Sequence, residues 1–218
     1  MVNDSLRPRP DRTLAIAYAP VGARPGLEAL LELDDLLGRV LRTTREPMLG
    51  QMRLTWWFEA LERLDREPPP AEPVLRRLAG EVLPHGVTGA FMAGLVEGWE
   101  AILGYAALDD AALDTFARER GGRLFRAMAT LCGADDEQVE AAGEGWALAD
   151  LASNLSDPEA ARRVRALARE RLVRATDRRW SRAGRALGAL ALLARFELDG
   201  TSGAGRVGRL LLHRLTGR

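Results

Sequence analysis

The apolar residues of this chain recur at helical spacing from one end to the other, and this periodicity limits the fold more than any other feature. Between Arg24 and Arg42 they form one stripe, which consists of Leu27, Leu30, Leu31, Leu33, Leu37 and Val40. No segment shows the sustained alternation of β-branched residues that is typical of a strand, and no strand–turn–strand pattern occurs. The sequence therefore predicts an all-α protein.

Prolines, glycines and acidic residues divide the pattern into separate helices. The predicted helices cover about 24–42, 47–66, 72–83, 88–104, 110–131, 135–152, 157–180 and 182–198. Three of them are preceded by candidate N-caps, at Asp109–Asp110, at Asp135–Asp136 and at Asp157, the last followed by Pro158 in the first turn. We predict a flexible N-terminus over 1–10, a helical domain over 11–199, and a segment over 200–218 in which a Gly/Ser loop at 200–208 precedes a short basic helix.

The charged residues are balanced, with 31 cations against 31 acids, and every cation is an arginine because the chain contains no lysine. A neutral chain lacks the excess positive charge on which non-specific nucleic-acid binding depends, so we expect no nucleic-acid partner. The absence of lysine excludes Schiff-base, P-loop and lysine general-base chemistry. A high-GC genome would produce the same arginine bias, and that explanation stays open.

Several kinds of site and segment are also excluded by composition. Cys132 is the only cysteine, which excludes a disulfide framework and a cysteine-based zinc site. His85 and His213 lie far apart and neither belongs to a pair with metal-ligand spacing. No uncharged apolar stretch is long enough to span a membrane, and residues 1–12 lack the apolar core of a signal peptide. We expect a cytoplasmic protein, with peripheral membrane contact left open.

One block of the sequence is distinctive. It runs over residues 46–61, includes Trp56 and Trp57, and is preceded by the short motifs at 11–14, 19–20 and 23–25. These residues resemble the N-terminal half of the squalene/phytoene synthase family, most strongly its bacterial members near the branch that includes respiratory complex I assembly factors. The resemblance is strongest over 11–65 and weaker over 110–152. It implies the isoprenoid-synthase fold, a single helical bundle around a deep apolar cavity, here shortened.

The resemblance also implies a chemistry against which the residues can be compared. Active members condense two prenyl diphosphates head to head, and aspartates on two facing helices hold Mg²⁺ on the diphosphates. Carboxylates at i, i+4 share one helical face and are the hard ligands that Mg²⁺ prefers. Counted from Trp56, the first motif falls at 38–42, where Gly38 and Arg42 replace the aspartates. An arginine at a ligand position repels Mg²⁺, so this aspartate-rich motif is degenerate.

The second motif of the family falls near the end of the helix predicted over 135–152. Asp150 and Asn154 stand there at i, i+4, with Asp157 nearby, but Asp157 is favoured as the cap of the next helix. The family segment that carries a functional tyrosine corresponds to 116–122, where none is present, and the usual active-site loop after Asp157 is missing. These departures predict a family member that has lost the chemistry, needs no cofactor, and binds a protein partner or a prenyl or lipid ligand. Assembly of a respiratory complex is the specific role that the resemblance offers.

The alternative is an active head-to-head prenyl transferase. Asp34, Asp35, Asp150 and Asp157 would then be rearranged Mg²⁺ ligands. As substrate-binding candidates we name Arg39, Arg42, Arg123 and Trp56, because guanidinium groups suit phosphate oxygens and one of the two adjacent tryptophans could line a cavity. Arg123 belongs to a cluster with Arg118, Arg120 and Arg126, and for this cluster salt bridges with the many acids are the favoured interpretation.

Overall fold

The computed structural model describes residues 10–44, 46–103, 108–201 and 203–218. Within these ranges the chain forms helices joined by turns, and no strand is present. The helices are α1 (Pro10–Ile16), α2 (Arg24–Thr43), α3 (Pro47–Arg63), α4 (Pro73–Glu81), α5 (Gly89–Glu100), α6 (Asp110–Thr115), α7 (Arg123–Cys132), α8 (Val139–Asn154), α9 (Pro158–Thr176), α10 (Arg185–Asp199) and α11 (Ala204–Thr216). The all-α prediction is confirmed.

Most helix bounds agree with the sequence pattern to within a few residues, and the caps predicted at Asp109 and Asp157 are present. The cap predicted at Asp135–Asp136 is wrong, because α8 begins later, at Val139, and the carboxylate of Asp136 instead accepts hydrogen bonds from Ser181. The carboxylate of Asp109 accepts a hydrogen bond from the backbone amide of Ala112, and that of Asp157 accepts bonds from the amides of Glu159 and Ala160. The prediction of a loop over 200–208 is wrong in part, because α11 already begins at Ala204. The flexible N-terminus predicted over 1–10 lies outside the described residues, except that residue 10 begins α1.

The helix predicted over 110–131 is continuous but not regular. Residues Phe116–Gly122 between α6 and α7 form a π-helical segment, in which each backbone hydrogen bond spans one residue more than in an α-helix. Segments of this kind are often found at functional sites, since the wider turn changes the direction of the side chains that it carries. Here the segment carries Arg120, which is buried.

Helix α8 occupies the centre of the bundle. It packs against α7, α9, α10 and the π-helical segment, while α2 packs against α3, α4, α5 and α7. One continuous cluster of buried apolar side chains extends from Ala15 in α1 to Leu210 in α11. In the part of the chain that the structure describes, no helix is both long and apolar enough to cross a bilayer.

Candidate functional site

A buried arginine joins two helices at the centre of the molecule. Arg120 is only 2% exposed, and its guanidinium donates Nε to Oδ1 of Asp34 at 2.8 Å and Nη2 to Oδ2 of the same carboxylate at 2.9 Å. Nη2 also donates to Oδ2 of Asp150 at 2.8 Å. The arginine therefore bridges α2, which carries Asp34, and α8, which carries Asp150.

Aromatic rings surround the same guanidinium. Its central carbon lies 4.1 Å from the ring centroid of Trp99, 5.0 Å from that of Trp146 and 5.1 Å from that of Phe116. These distances are within the range of cation–π attraction, which is strongest for tryptophan and for cations removed from water. Nη1 of Arg120 is buried and has no hydrogen-bond acceptor among the residues that the structure describes.

Close helix crossings bring Arg120 to this position. A Cβ atom at Gly98 in α5 would lie 2.5 Å from the backbone nitrogen of Arg120. A Cβ at Gly121 would lie 2.2 Å from the carbonyl oxygen of Gly143 in α8, and a Cβ at Gly143 would meet the carbonyl of Gly121 equally closely. Only glycine fits at such contacts, so these three positions let α5 and α8 approach the π-helical segment directly.

The electrostatics of the site keep the arginine charged. Burial by itself lowers the pKa of Arg120, because a low-dielectric interior disfavours the cation. The charges of Asp34 and Asp150, together with the hydrogen bonds that they accept, more than offset this effect, and the pKa lies above its ordinary value. Arg120 is thus a permanent cation between carboxylates of two different helices.

The four predicted metal-binding aspartates do not come together. Asp34 and Asp150 face each other, but the guanidinium of Arg120 lies between them. Asp35 is about half exposed and accepts a hydrogen bond from Nη1 of Arg12 at 2.9 Å. Asp157 is exposed and caps α9. Among the described residues no group of three or more His, Cys, Asp or Glu side chains is placed to hold a metal ion. The donor set therefore does not fit a Mg²⁺ site.

Neighbouring side chains occupy the space beside the residues where the family resemblance puts the first metal motif. A Cβ at Gly38 would lie 3.0 Å from the ring of Trp99 and 3.0 Å from Nη1 of Arg42, which folds back along α2. An aspartate at 38 would force both neighbours to move. Arg39 is exposed, and neither Arg39 nor Arg42 forms an ion pair with an acid in the described ranges.

The arginine cluster around the π-helical segment is paired with acids, as the favoured interpretation expects. Arg118 pairs with Asp114, Arg123 with Glu119 and Arg126 with Glu140. The guanidinium of Arg123 lies 4.9 Å from the ring centroid of Phe91. These arginines do not converge on a common space, and the member that enters the core is Arg120.

The two adjacent tryptophans are divided between core and surface. Trp57 is 7% exposed and belongs to the core, whereas Trp56 is 46% exposed and meets it edge to face at 5.0 Å between centroids. Trp56 continues an exposed apolar stripe along α3, which we call the α3 stripe and which comprises Met48, Leu49, Met52 and Trp56. Trp56 thus lies on a surface away from Arg120.

Sequence reasoning did not single out Arg120, although a signal for its partner was present. Asp34 falls on the buried stripe of α2, at helical spacing from Leu30 and Leu37. A carboxylate on a buried face needs a cation or several hydrogen-bond donors. That signal predicts a buried partner for Asp34, but it does not say which of the 31 arginines supplies it.

Comparison with protein families gives a match that covers nearly the whole chain. The family described as squalene/phytoene synthase matches residues 7–212. The match extends well beyond the segment 11–65 where the resemblance is most evident by eye. Comparison with curated proteins and comparison with solved structures gave no match.

Proposed function

The chain belongs to the squalene/phytoene synthase family, and we propose that it is a member that does not carry out metal-dependent prenyl transfer and acts by binding. The observation that carries this proposal is the position of Arg120. Its guanidinium lies between the carboxylates of Asp34 and Asp150 and forms hydrogen bonds with both. A fixed cation therefore already compensates the acids that face each other across the two helices.

Charge and space both support this proposal. A divalent cation at Asp34 and Asp150 would have to displace a guanidinium that is buried among three aromatic rings and held by three hydrogen bonds. If it stayed beside the guanidinium of Arg120, the two positive charges would repel each other strongly, because the interior is poorly solvated. The first motif of the family lacks its carboxylate at Gly38, and a side chain there would require the ring of Trp99, 3.0 Å from the Cβ position, to shift.

The alternative, an active head-to-head prenyl transferase, requires Asp34, Asp35, Asp150 and Asp157 to act as one ligand set. Two of these aspartates are bound to Arg120, one to Arg12, and one to the first backbone amides of α9. The four carboxylates are therefore held by three separate structural contacts, and Asp34 and Asp150 share one of them. The geometry does not favour this alternative.

A binding role is supported by the α3 stripe. Met48 is 79% exposed and Met52 is 65% exposed, and adjacent Trp56 adds an aromatic ring with a polar nitrogen. Methionine and tryptophan are enriched where proteins recognise partners, because the first adapts its shape and the second buries a large area. Together with the resemblance to the branch of complex I assembly factors, this surface makes a role in assembling a respiratory complex the specific form of the proposal.

An assay of turnover tests the proposal. The purified protein is incubated with farnesyl or geranylgeranyl diphosphate and Mg²⁺, with an active family member as positive control. We expect neither diphosphate release nor a C30 or C40 product. Turnover that disappears in an Asp150→Asn variant would overturn the proposal, since it would show that the carboxylate serves catalysis despite its contact with Arg120.

A further inference from the structure

A groove lined by arginines lies between the segment at residues 17–24, which follows α1, and the helix α11. Its volume is about 740 Å³, and its walls come from residues 17–24 on one side and from α11 with the turn before α10 on the other. We call it the arginine groove after its four cationic lining residues, Arg24, Arg182, Arg185 and Arg214. In the part of the chain that the structure describes, none of these four forms an ion pair with a carboxylate.

The contacts that these arginines do make leave their charge uncompensated. Arg24 donates to the backbone carbonyl oxygens of Ala17 and Ala19, and Arg185 donates to that of Arg214. The guanidinium of Arg214 lies 5.4 Å from the ring centroid of Tyr18, and Arg182 is exposed. Carbonyl oxygens and ring faces orient a guanidinium without neutralising it, so the groove retains a positive potential.

An exposed apolar face adjoins the groove on α11. Val207, Leu211 and Leu215 follow one another at four-residue spacing and are 58%, 51% and 76% exposed, with Leu212 beside them at 50%. Leu215 also lines the arginine groove, as does Val21, which is 75% exposed. Arg209 and Arg214 lie at the two edges of this face. Around the helix axis, each is rotated by about 100° or less from the outermost leucine on its side.

The opposite face of α11 is anchored to the bundle, so the exposed face has a fixed orientation. Leu210 and His213 are buried, the hydroxyl of Tyr18 donates to the carbonyl of Leu210, and Nε of Arg179 donates to that of Thr216. Residues 200–218 contain four arginines and no acid, although the chain as a whole is neutral. The positive charge is therefore concentrated where the apolar face is exposed.

We propose that the apolar face of α11 and the arginine groove together form a docking surface for an anionic lipid bilayer. Helices with leucines on one face and arginines along its edges lie in the plane of a bilayer, with the apolar side chains among the acyl chains and the cations at the headgroups. The four groove arginines would contact lipid phosphates, with which guanidinium groups form paired hydrogen bonds. This proposal does not depend on the loss of prenyl transfer.

Sedimentation with vesicles tests the docking surface. We expect the protein to bind vesicles of phosphatidylcholine that contain about one third phosphatidylglycerol, and to bind less at high salt, because exposed charges are screened. Binding to pure phosphatidylcholine should be weak. Equal binding to both vesicle types would overturn the proposal, as would absence of binding to the anionic vesicles.

Two pairs of variants assign the binding to this surface. Leu211→Ser with Leu215→Ser should weaken binding to the anionic vesicles by about tenfold or more, because the apolar anchors are removed. The matched control, Met48→Ser with Met52→Ser, alters equally exposed residues of the α3 stripe and should leave binding unchanged. A loss confined to the control pair would place the contact on α3 and overturn the proposal.

The charge variants follow the same design. Arg182→Gln with Arg209→Gln should reduce binding about fivefold per arginine, whereas the control pair Arg66→Gln with Arg165→Gln, exposed arginines elsewhere, should have little effect. Equal losses in both pairs would indicate attraction by overall charge only. Two other outcomes would contradict a bilayer: full displacement by free inorganic phosphate, or a stable dimer that Leu211→Ser with Leu215→Ser converts to a monomer. Circular dichroism of each variant verifies that it is folded.

Discussion

Arginines serve two opposite purposes at the buried centre of this protein and in the arginine groove. Arg120 is enclosed by aromatic rings and is bound to carboxylates of two helices, so its charge is compensated within the molecule. The groove arginines contact carbonyl oxygens and a ring, and their charge remains available to the surroundings. A chain with zero net charge can therefore carry a local excess of positive charge. The groups that contact an arginine determine whether its charge is available for binding.

The largest effect is expected at the centre. Arg120→Met would leave the carboxylates of Asp34 and Asp150 facing each other without a cation, and breaking a buried ion pair in this way costs about 3–5 kcal/mol of unfolding free energy. Arg118→Met is the matched control, because Arg118 is exposed, belongs to the same segment and pairs only with Asp114. Its cost should stay below about 1 kcal/mol. Denaturant unfolding followed by circular dichroism measures both.

A compensated variant distinguishes loss of charge balance from loss of packing. If the cost of Arg120→Met comes from uncompensated carboxylates, adding Asp34→Asn and Asp150→Asn should restore much of the lost stability, since the acids then no longer need a cation. A triple variant as unstable as Arg120→Met alone would mean that the shape of the arginine, and not its charge, is what the site requires.

A smaller effect is expected on α11, where neighbouring leucines differ in surroundings. Leu210 is 4% exposed in the core, and Leu210→Ala should lower the free energy of unfolding by about 2–3 kcal/mol. Leu211 is 51% exposed, and Leu211→Ala should change it by less than about 0.5 kcal/mol. Equal costs would contradict the assignment of an anchored face and a free face to this helix. Thermal and denaturant unfolding of the two variants in parallel provide the measurement.

The smallest effect concerns pH. His213 is buried, and because a carbonyl only accepts, its Nε2 donates to the carbonyl oxygen of Arg185. Burial is the main reason that its pKa lies below the ordinary 6.5, while the bond to Arg185 acts in the opposite direction. The unfolded chain therefore takes up the proton first, and stability is complete above pH 6.5 and falls as the pH drops below it.

His213→Gln keeps a donor for the carbonyl of Arg185 but does not titrate. Melting temperatures measured from about pH 8 to about pH 5 should show a smaller decline for this variant than for the unaltered protein. Identical declines would mean that His213 does not contribute to the acid sensitivity of the fold.

The sequence predicts the fold well because the relevant signals are local. Helical spacing places both ends of α2 and the start of α3 to within a residue, and Asp109 and Asp157 are recognised as caps from their position before an apolar run. Helix α1 was not predicted, because Pro10–Ile16 is short and begins among polar residues. The start of α11 was predicted too late, since Gly205 and Gly208 suggest a loop although both lie in the helix.

The candidate site could be predicted only in part. Comparison with the family motif drew attention to Asp34 and Asp150, and these two are the acids that face each other. Their partner comes from a segment 86 residues after Asp34, and its direction depends on a π-helical turn and on close contacts at Gly98 and Gly121. Such long-range contacts leave no periodic signal. The pairing of Arg118, Arg123 and Arg126 with nearby acids was more accessible, because two of those pairs lie at i, i+4.

Calorimetric titration with Mg²⁺ tests most directly whether Arg120 has taken the place of a metal between α2 and α8. We expect no saturable binding of Mg²⁺ by the unaltered protein, with or without farnesyl diphosphate, because the carboxylates of Asp34 and Asp150 are already bound to a guanidinium. Saturable binding of Mg²⁺ that is abolished by Asp34→Asn or by Asp150→Asn would contradict this expectation.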